Sequence, residues 1–454
     1  MSPSRRPSGR RAHTGPGGRE DFPPPGPLHR GIMAGRERTP AEGVRIVRDL
    51  GGGAVALLDV EPRARGAAVG FWYPTGSRDE ADDQKGYTHF VEHMVFKGTA
   101  TRGPEDIARE ADRVGGWLNA FTEREATCFH CSLPGSALPL AIDLLSDMAH
   151  RSVFDPVEFE REREVVANEA WAALDDPEES GQDAFLARLW PGQAIGRKIQ
   201  GEPEDVAAID RERLVGYWRE HFGPSRLVVS IAGGFDPDEA LRALDRSLPR
   251  DAAARAPRPA PRPVAAAPFR AAEAGKARQT HFYAGIPLEP PFDRSDYWAL
   301  SIASAAWGEA MGSRLFLALR ERAGLCYSVW SGAGLSRDAG LWSVFASTRA
   351  SSFPKLAELY DAELERFASG GLERAEFADA VSHLAGSTEV GADDMEFRMR
   401  RLARQWFFDG NPETVEASIA ALRSADPEAV NETVRRRVDP ALERRLAWGR
   451  VGAR

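Results

Sequence analysis

The sequence is poor in cysteine and has no long apolar segment. Its three cysteines, Cys128, Cys131 and Cys326, are too few for the disulfide framework of a small secreted protein, and they favour a reducing compartment. No apolar run approaches the roughly 18 residues that a membrane-spanning helix requires, so membrane insertion is not expected. The net charge of −9 argues against nonspecific nucleic-acid binding. These absences predict a globular protein of the cytoplasm.

The N-terminal segment 1–42 lacks hydrophobic periodicity and is dominated by Arg, Pro, Gly and Ser, which predicts a disordered arm. No apolar segment follows either of its arginine pairs, so neither a secretory nor a twin-arginine signal is predicted. Because globular patterning begins only near Val44, Met33 is an alternative to Met1 as the translation start.

Residues 89–93, His-Phe-Val-Glu-His, form the most informative stretch. On a helix, His89, Glu92 and His93 share one face, while the apolar residues between them point toward a core. Two imidazoles one turn apart form half of a zinc site, and a carboxylate beside them can accept a proton from activated water. With nine histidines in 454 residues, this inverted H-x-x-E-H pattern arises by chance in roughly one chain in a hundred. The alternative is a pair of surface histidines beside a solvated glutamate.

A third metal ligand is expected on the segment 155–174, which predicts a long helix with Asp155 as N-cap and Pro156 in the first turn. Glu162 and Glu169 lie seven residues apart on one face of this helix. Glu162 has charged neighbours and is expected to be solvated. Glu169 lies among mostly apolar residues, where a cation would offset the cost of burying a carboxylate. The residues alone favour Glu169 as the ligand without proving it.

Two stretches, residues 89–99 and 118–122, resemble the pitrilysin/insulinase family of zinc peptidases, in particular the branch that contains mitochondrial processing peptidase and its bacterial relatives. The resemblance runs from about residue 43 to the C-terminus. One departure is Asn168, where many relatives carry a second glutamate beside the ligand. That position would point away from the metal, so we expect little effect.

The resemblance implies one zinc ion (Zn2+) per chain, held by His89, His93 and Glu169, which lies 76 residues after His93. Glu92 would be the general base, and Glu162 a further catalytic residue. The implied activity is that of a zinc-dependent endopeptidase acting on peptides or unfolded polypeptide segments. The alternative is a non-catalytic partner subunit of a processing complex, although such subunits usually lose the metal residues that this chain retains. An unrelated metal-storage or metal-sensing protein would need neither Glu92 nor a substrate motif.

The chain also repeats itself. Five residues recur 216 positions later, with Asp210, Glu212, Arg219, Pro224 and Gly233 matching Asp426, Glu428, Arg435, Pro440 and Gly449. Three more recur 210 positions later, with Tyr87, Gly98 and Ala100 matching Tyr297, Gly308 and Ala310. In this second register, apolar Ala299, Ile302 and Ala303 replace the two histidines and the glutamate of the motif. The pattern predicts a duplication in which only the first half carries a metal site.

We predict an α+β fold of two duplicated domains, each with helices packed on a largely antiparallel sheet. Strands are expected at 68–73, 126–133 and 280–286. Residues 43–247 are assigned to a catalytic zinc-binding domain. Residues 269–454 are assigned to a homologous domain that binds no metal and contributes substrate-binding residues. The Ala/Pro-rich segment 248–268 would link them.

The resemblance also implies where substrate binds. Arg320 and Tyr327 match a family motif that holds the substrate and supports the oxygen of the tetrahedral intermediate, a role suited to a cation and a phenol. Asn119, Ala120 and Phe121 would form an edge strand that pairs with an extended peptide, although Asn119 also suits a turn. Two domains make half of the chamber of single-chain relatives, which implies a homodimer or a heterodimer with a related subunit.

Overall fold

The computed structural model describes residues 36–37, 44–249 and 262–451. Most of the predicted N-terminal arm, and residues 250–261 of the predicted linker, lie outside the described residues. Within the arm, Arg36–Glu37 forms a short strand, β1, that pairs with the strand that follows it, where composition alone predicts disorder.

The first half is built around a mixed sheet. Its further strands are β2 (Val44–Gly51), β3 (Ala54–Val60), β4 (Gly66–Tyr73), β5 (Trp117–Thr122), β6 (Thr127–Pro134) and β7 (Val228–Gly233). Its helices are α1 (Tyr87–Met94), α2 (Pro104–Arg113), α3 (Leu138–Arg151), α4 (Pro156–Asp175), α5 (Pro177–Leu189), α6 (Pro203–Ala207), α7 (Arg211–His221) and α8 (Pro237–Ser247). The strand order is β1-β2-β3-β7-β4-β6-β5, which leaves β5 at an edge.

The second half forms a second mixed sheet. Its strands are β8 (Arg270–Ala274), β9 (Thr280–Leu288), β10 (Cys326–Leu335), β11 (Gly340–Thr348) and β12 (Arg444–Gly449). Its helices are α9 (Arg294–Ser304), α10 (Phe353–Gly370), α11 (Arg374–Gly391), α12 (Met395–Asp409), α13 (Val415–Arg423) and α14 (Pro427–Arg437), with π-helical segments at Ala305–Glu309 and Phe316–Arg322. The strand order is β10-β11-β9-β12-β8.

The two sheets repeat one topology, which confirms the predicted duplication and the α+β fold. The order β3-β7-β4-β6-β5 of the first sheet corresponds to β8-β12-β9-β11-β10 of the second. The parallel pair lies at the same place in each, β3 with β7 and β8 with β12, and the other described pairs are antiparallel. Asp210 and Asp426, predicted to be equivalent, each cap the helix that precedes the parallel strand. The predicted strands correspond to β4, β6 and β9.

Each sheet is covered on one face by a helix from the other half. Helix α12 packs Met399 and Phe407 on the first sheet, beside Trp72. Helix α5 packs Phe185 on the second sheet, where its ring lies 6.1 Å from that of Tyr283. Because both helices bury apolar surface that would otherwise face water, this exchange holds the two halves together.

The opposite face of the first sheet forms the main core of that half, under α1 and α3. Cys131 lies in this core, whereas Cys128 faces α12, so the two thiols occupy opposite faces of β6 as predicted. Both are buried and neither forms a disulfide. Among the described residues, no helix combines the length and the hydrophobicity needed to cross a membrane.

Candidate metal centre

Helix α1 carries both histidines of the motif, and its apolar side anchors it. Phe90 and Val91 are fully buried in the core of the first half. His89, Glu92 and His93 lie on the other side of the helix and are partly exposed. The 3.6-residue period of the helix therefore separates an anchoring face from a chemical face, as the motif predicts.

The N-terminus of α1 is capped by a residue that precedes the N-cap position in the chain. Gly86, at the N-cap position, has no side chain that could accept a hydrogen bond. The buried carboxylate of Glu80 instead accepts the backbone N–H groups of Gly86 (3.0 Å) and Thr88 (2.8 Å). Burial raises the pKa of Glu80 to about 8. This contact fixes the first turn of the helix that carries the histidines.

Helix α4 brings Glu169 to both histidines. It packs on α1 through Phe159, whose ring lies 5.1 Å from that of Phe90. One carboxylate oxygen of Glu169 lies 3.2 Å from His93 Nε2 and 3.8 Å from His89 Nε2. The two imidazole rings are 4.8 Å apart. One donor atom from each of these three residues lies within 4.8 Å of the others, so that one cation could bind all three.

Glu162 lies on the same helix and reaches the other nitrogen of the His93 ring. Its carboxylate is 3.1 Å from His93 Nδ1 and 2.6 Å from Lys97 Nζ. The residue is only 5% exposed, so the expectation that Glu162 is solvated is wrong. Glu169 is the more open of the two carboxylates, with a side chain 51% exposed. The local charge of the sequence around Glu162 does not reveal the two donors that satisfy its carboxylate.

The ionisation of each of these groups depends on its neighbours. Burial lowers the pKa of His93, but hydrogen bonds with Glu162 and Glu169 outweigh it and raise that pKa to about 9. The hydrogen bond to His93 holds the pKa of Glu169 below its ordinary value. Burial would raise the pKa of Glu162, yet His93 and Lys97 lower it overall. The site therefore attracts positive charge, and a metal ion would compete there with a proton.

Glu92 contacts the edge strand of the first sheet. The hydroxyl of Thr122, at the end of β5, donates a hydrogen bond to Glu92 Oε2 at 2.5 Å. Asn119, Ala120 and Phe121 precede it in the same strand, so Asn119 does not form a turn. Its side-chain oxygen accepts the N–H of Ala120 at 2.8 Å. The candidate peptide-binding strand and the candidate general base are therefore direct neighbours.

Arg320 and Tyr327 contact one another. The guanidinium carbon of Arg320 lies 4.9 Å from the centre of the Tyr327 ring and 4.6 Å from that of Phe316. Tyr327 is 76% exposed at the start of β10. Both residues line a cavity of about 900 Å³ whose lining does not include the three residues of the metal-binding group. The structure thus places Arg320 and Tyr327 in contact with each other, but neither residue belongs to the metal-binding group.

Comparison with known proteins shows to which family the chain belongs. A model described as insulinase (peptidase family M16) matches residues 55–202, and one described as the peptidase M16 inactive domain matches residues 208–384. A protein of Streptomyces coelicolor named as an uncharacterized zinc protease is 33% identical over 402 residues, covering 87% of each chain. The chain belongs to peptidase family M16, the insulinase family. An uncharacterized zinc protease of Mycobacterium tuberculosis is 36% identical to this M16 member, covering 85% of this chain and 89% of the relative.

Solved structures share the fold of this M16 chain. A protease from Helicobacter pylori superimposes with a TM-score of 0.81 at 17% identity, covering 90% of this chain and 100% of the other. A structure from Pseudomonas fluorescens described as a peptidase M16 inactive domain gives a TM-score of 0.80 at 17% identity, covering 90% and 98%. At this level of identity the likeness concerns the fold alone.

Sequence reasoning missed three residues that contact the candidate metal-binding group or the helix that carries it. Lys97 lies one turn beyond His93, a spacing that could have predicted a shared contact. Thr122 lies within the strand motif 118–122, but the motif alone does not indicate its hydrogen bond to Glu92. No local sequence pattern indicates the role of Glu80. Its contact with the helix N-terminus depends on how the preceding loop folds back, not on spacing within the helix.

Proposed function

We propose that this M16 chain is a zinc-dependent metalloendopeptidase that hydrolyses peptides or unfolded polypeptide segments. The observation that supports this most is the convergence of His89, His93 and Glu169, with Glu92 on the same helix face. The names of the relatives, uncharacterized zinc proteases, agree with it.

The donor set fits zinc. Two imidazole nitrogens and one carboxylate oxygen are ligands that Zn²⁺ accepts, and three protein ligands are the usual number at a catalytic zinc. Glu162 hydrogen-bonds His93 Nδ1, which orients the ring so that Nε2 faces Glu169. Zinc held by these residues would supply a Lewis acid that lowers the pKa of water and polarises a carbonyl.

Glu92 would act as general base and then as general acid. Its carboxylate would take a proton from the attacking water and return it to the amine that leaves. The hydrogen bond from Thr122 orients the Glu92 carboxylate for this role. Asn119, Ala120 and Phe121 would pair through their main chain with an extended substrate along the edge of the sheet. Arg320 and Tyr327 would bind the substrate from the second half.

The experiment is cleavage of a fluorogenic peptide with and without a chelator. We expect Glu92→Gln to abolish turnover while zinc stays bound, and Glu169→Gln to lose zinc on dialysis. The matched control is Glu160→Gln on the same helix, whose side chain is 63% exposed. Turnover by zinc-loaded Glu92→Gln would remove Glu92 from its role, and full zinc content in Glu169→Gln would remove that ligand.

We also propose that the two halves correspond to the domains 43–247 and 269–454, and that the chain pairs with a second copy or a related subunit in the cytoplasm. A non-catalytic partner subunit remains the rival function. That rival predicts no cleavage at any zinc concentration, together with a complex that forms only when the catalytic subunit is supplied. Size-exclusion chromatography with light scattering measures the oligomeric state directly.

A further inference from the structure

The cavity beside the second sheet is lined by residues of both halves, and nearly all of its charged lining residues are basic. Among the described residues that line it, there is a single carboxylate, that of Glu309. Six arginines line it: Arg124, Arg294, Arg320, Arg400, Arg401 and Arg404. The chain as a whole has a net charge of −9, so composition does not account for this cluster. Clefts lined by one sign of charge concentrate ligands of the opposite sign.

Several of these arginines are paired with carboxylates that do not themselves line the cavity. Arg400 lies 2.7 Å from Glu396, and Arg404 lies 3.1 Å from Glu123. Arg294 is bound by two carboxylates in the same manner. These ion pairs hold the guanidinium groups in place and offset part of their charge, while the charged groups that line the cavity are almost all basic.

Two of the other arginines have weaker counter-charges, since the carboxylates that act on Arg401 do so without a close ion pair among the described residues. Arg401 donates to the carbonyl oxygens of Glu413 (2.7 Å) and Thr414 (2.8 Å) and to the hydroxyl of Ser418, all neutral acceptors. Burial lowers the pKa of Arg401. Arg320 lies over two aromatic rings, and the carboxylate of the next residue is 4.0 Å away. An anion in the cavity would compensate both charges.

The cavity adjoins the strand that would hold the substrate. The guanidinium of Arg400 lies 4.2 Å from the centre of the Phe121 ring, and Arg404 binds Glu123. Phe121 and Glu123 flank Thr122, which donates to the candidate general base. A peptide paired with β5 therefore passes directly beside the arginines of α12.

We propose that this cavity receives an acidic segment of the substrate, whose carboxylates bind the arginines of α12 together with Arg320. The enzyme would then prefer peptides that carry Asp or Glu next to the cleaved segment. This inference rests on the proposed peptidase function and names its substrate class.

The test uses the full-length zinc enzyme and three quenched peptides with one central sequence. Their flanks carry four Glu, four Gln or four Lys residues. At low salt we expect kcat/KM for the acidic peptide to exceed that for the neutral peptide about fivefold, and the ratio to fall toward one as salt screens the charges. Arg400→Gln should lower the ratio about threefold, while Arg400→Lys, which keeps the charge, should retain most of it.

The matched control is Arg270→Gln on the edge strand β8, where the arginine side chain is 72% exposed. We expect this variant to keep the wild-type ratio. Equal cleavage of all three peptides, or a preference for the basic one, would overturn the inference and leave the peptidase intact. If no peptide is cleaved, the proposed function fails. Fluorescence anisotropy of a labelled acidic peptide with Glu92→Gln would then still measure whether the cavity binds acidic chains.

Discussion

Replacing Glu162 by Gln tests whether the buried carboxylate behind His93 sets the metal affinity. The carboxylate lies 3.1 Å from His93 Nδ1 and 2.6 Å from Lys97 Nζ. A glutamine has nearly the same shape but no charge, so it can accept one hydrogen bond while it leaves the lysine unneutralised. Loss of such a supporting contact typically costs 10–100-fold in metal affinity, which corresponds to about 1.4–2.7 kcal/mol.

Zinc affinity would be measured by competition with a chromophoric chelator at fixed pH. Glu160→Gln is the matched control, because it removes one carboxylate from the same helix at an exposed position. We expect the control to bind zinc as the wild type does. A Glu162→Gln variant with an unchanged zinc Kd would refute the reasoning, because the charge behind the ring would then contribute nothing to binding.

The structure predicts four further outcomes. Glu80→Ala removes the acceptor for Gly86 and Thr88, so we expect about 1–3 kcal/mol less stability in thermal unfolding, and weaker zinc binding. In the metal-free chain, protonation of His93 adds to the free energy of unfolding. This contribution is complete below the unfolded-state pKa of 6.5 and is lost as pH rises through the folded-state pKa of about 9. Because zinc needs the neutral ring, apparent zinc affinity measured by titration should rise by up to about tenfold per pH unit between roughly pH 7 and 9. Met399→Ala opens a cavity between α12 and the first sheet, so urea unfolding should show a loss of about 2–5 kcal/mol.

Local patterns predicted the elements that depend on neighbours in sequence. The helix that carries Glu169 begins where Asp155 accepts the N–H groups of Val157 and Glu158, as its capping residues predict. Residues 89–93 form a helix because their apolar positions recur at the helical period. The repeat at 216 positions was visible because both copies keep the cap, the helix and the following strand.

Contacts between distant segments could not be predicted in the same way. Glu162 looked solvated because its sequence neighbours are charged, yet His93 and Lys97 bury it. The apolar neighbours of Glu169 favour it as a ligand and the geometry agrees, but its side chain is half exposed, so burial of the carboxylate is not the reason. Whether a side chain is buried depends on which helices pack against each other, and the spacing of residues along one helix does not reveal that packing.

The exchange of helices explains why one half without metal residues belongs to the same chain. Met399 of the second half and Phe185 of the first half each bury apolar surface on the opposite sheet. Either half expressed alone would therefore expose an apolar sheet face to water, and we expect it to aggregate. The candidate site also depends on both halves, because Arg400 of the second half contacts the Phe121 ring beside the candidate base. If the two halves instead folded and stayed soluble when separated, the packing of α5 and α12 could not be what joins them.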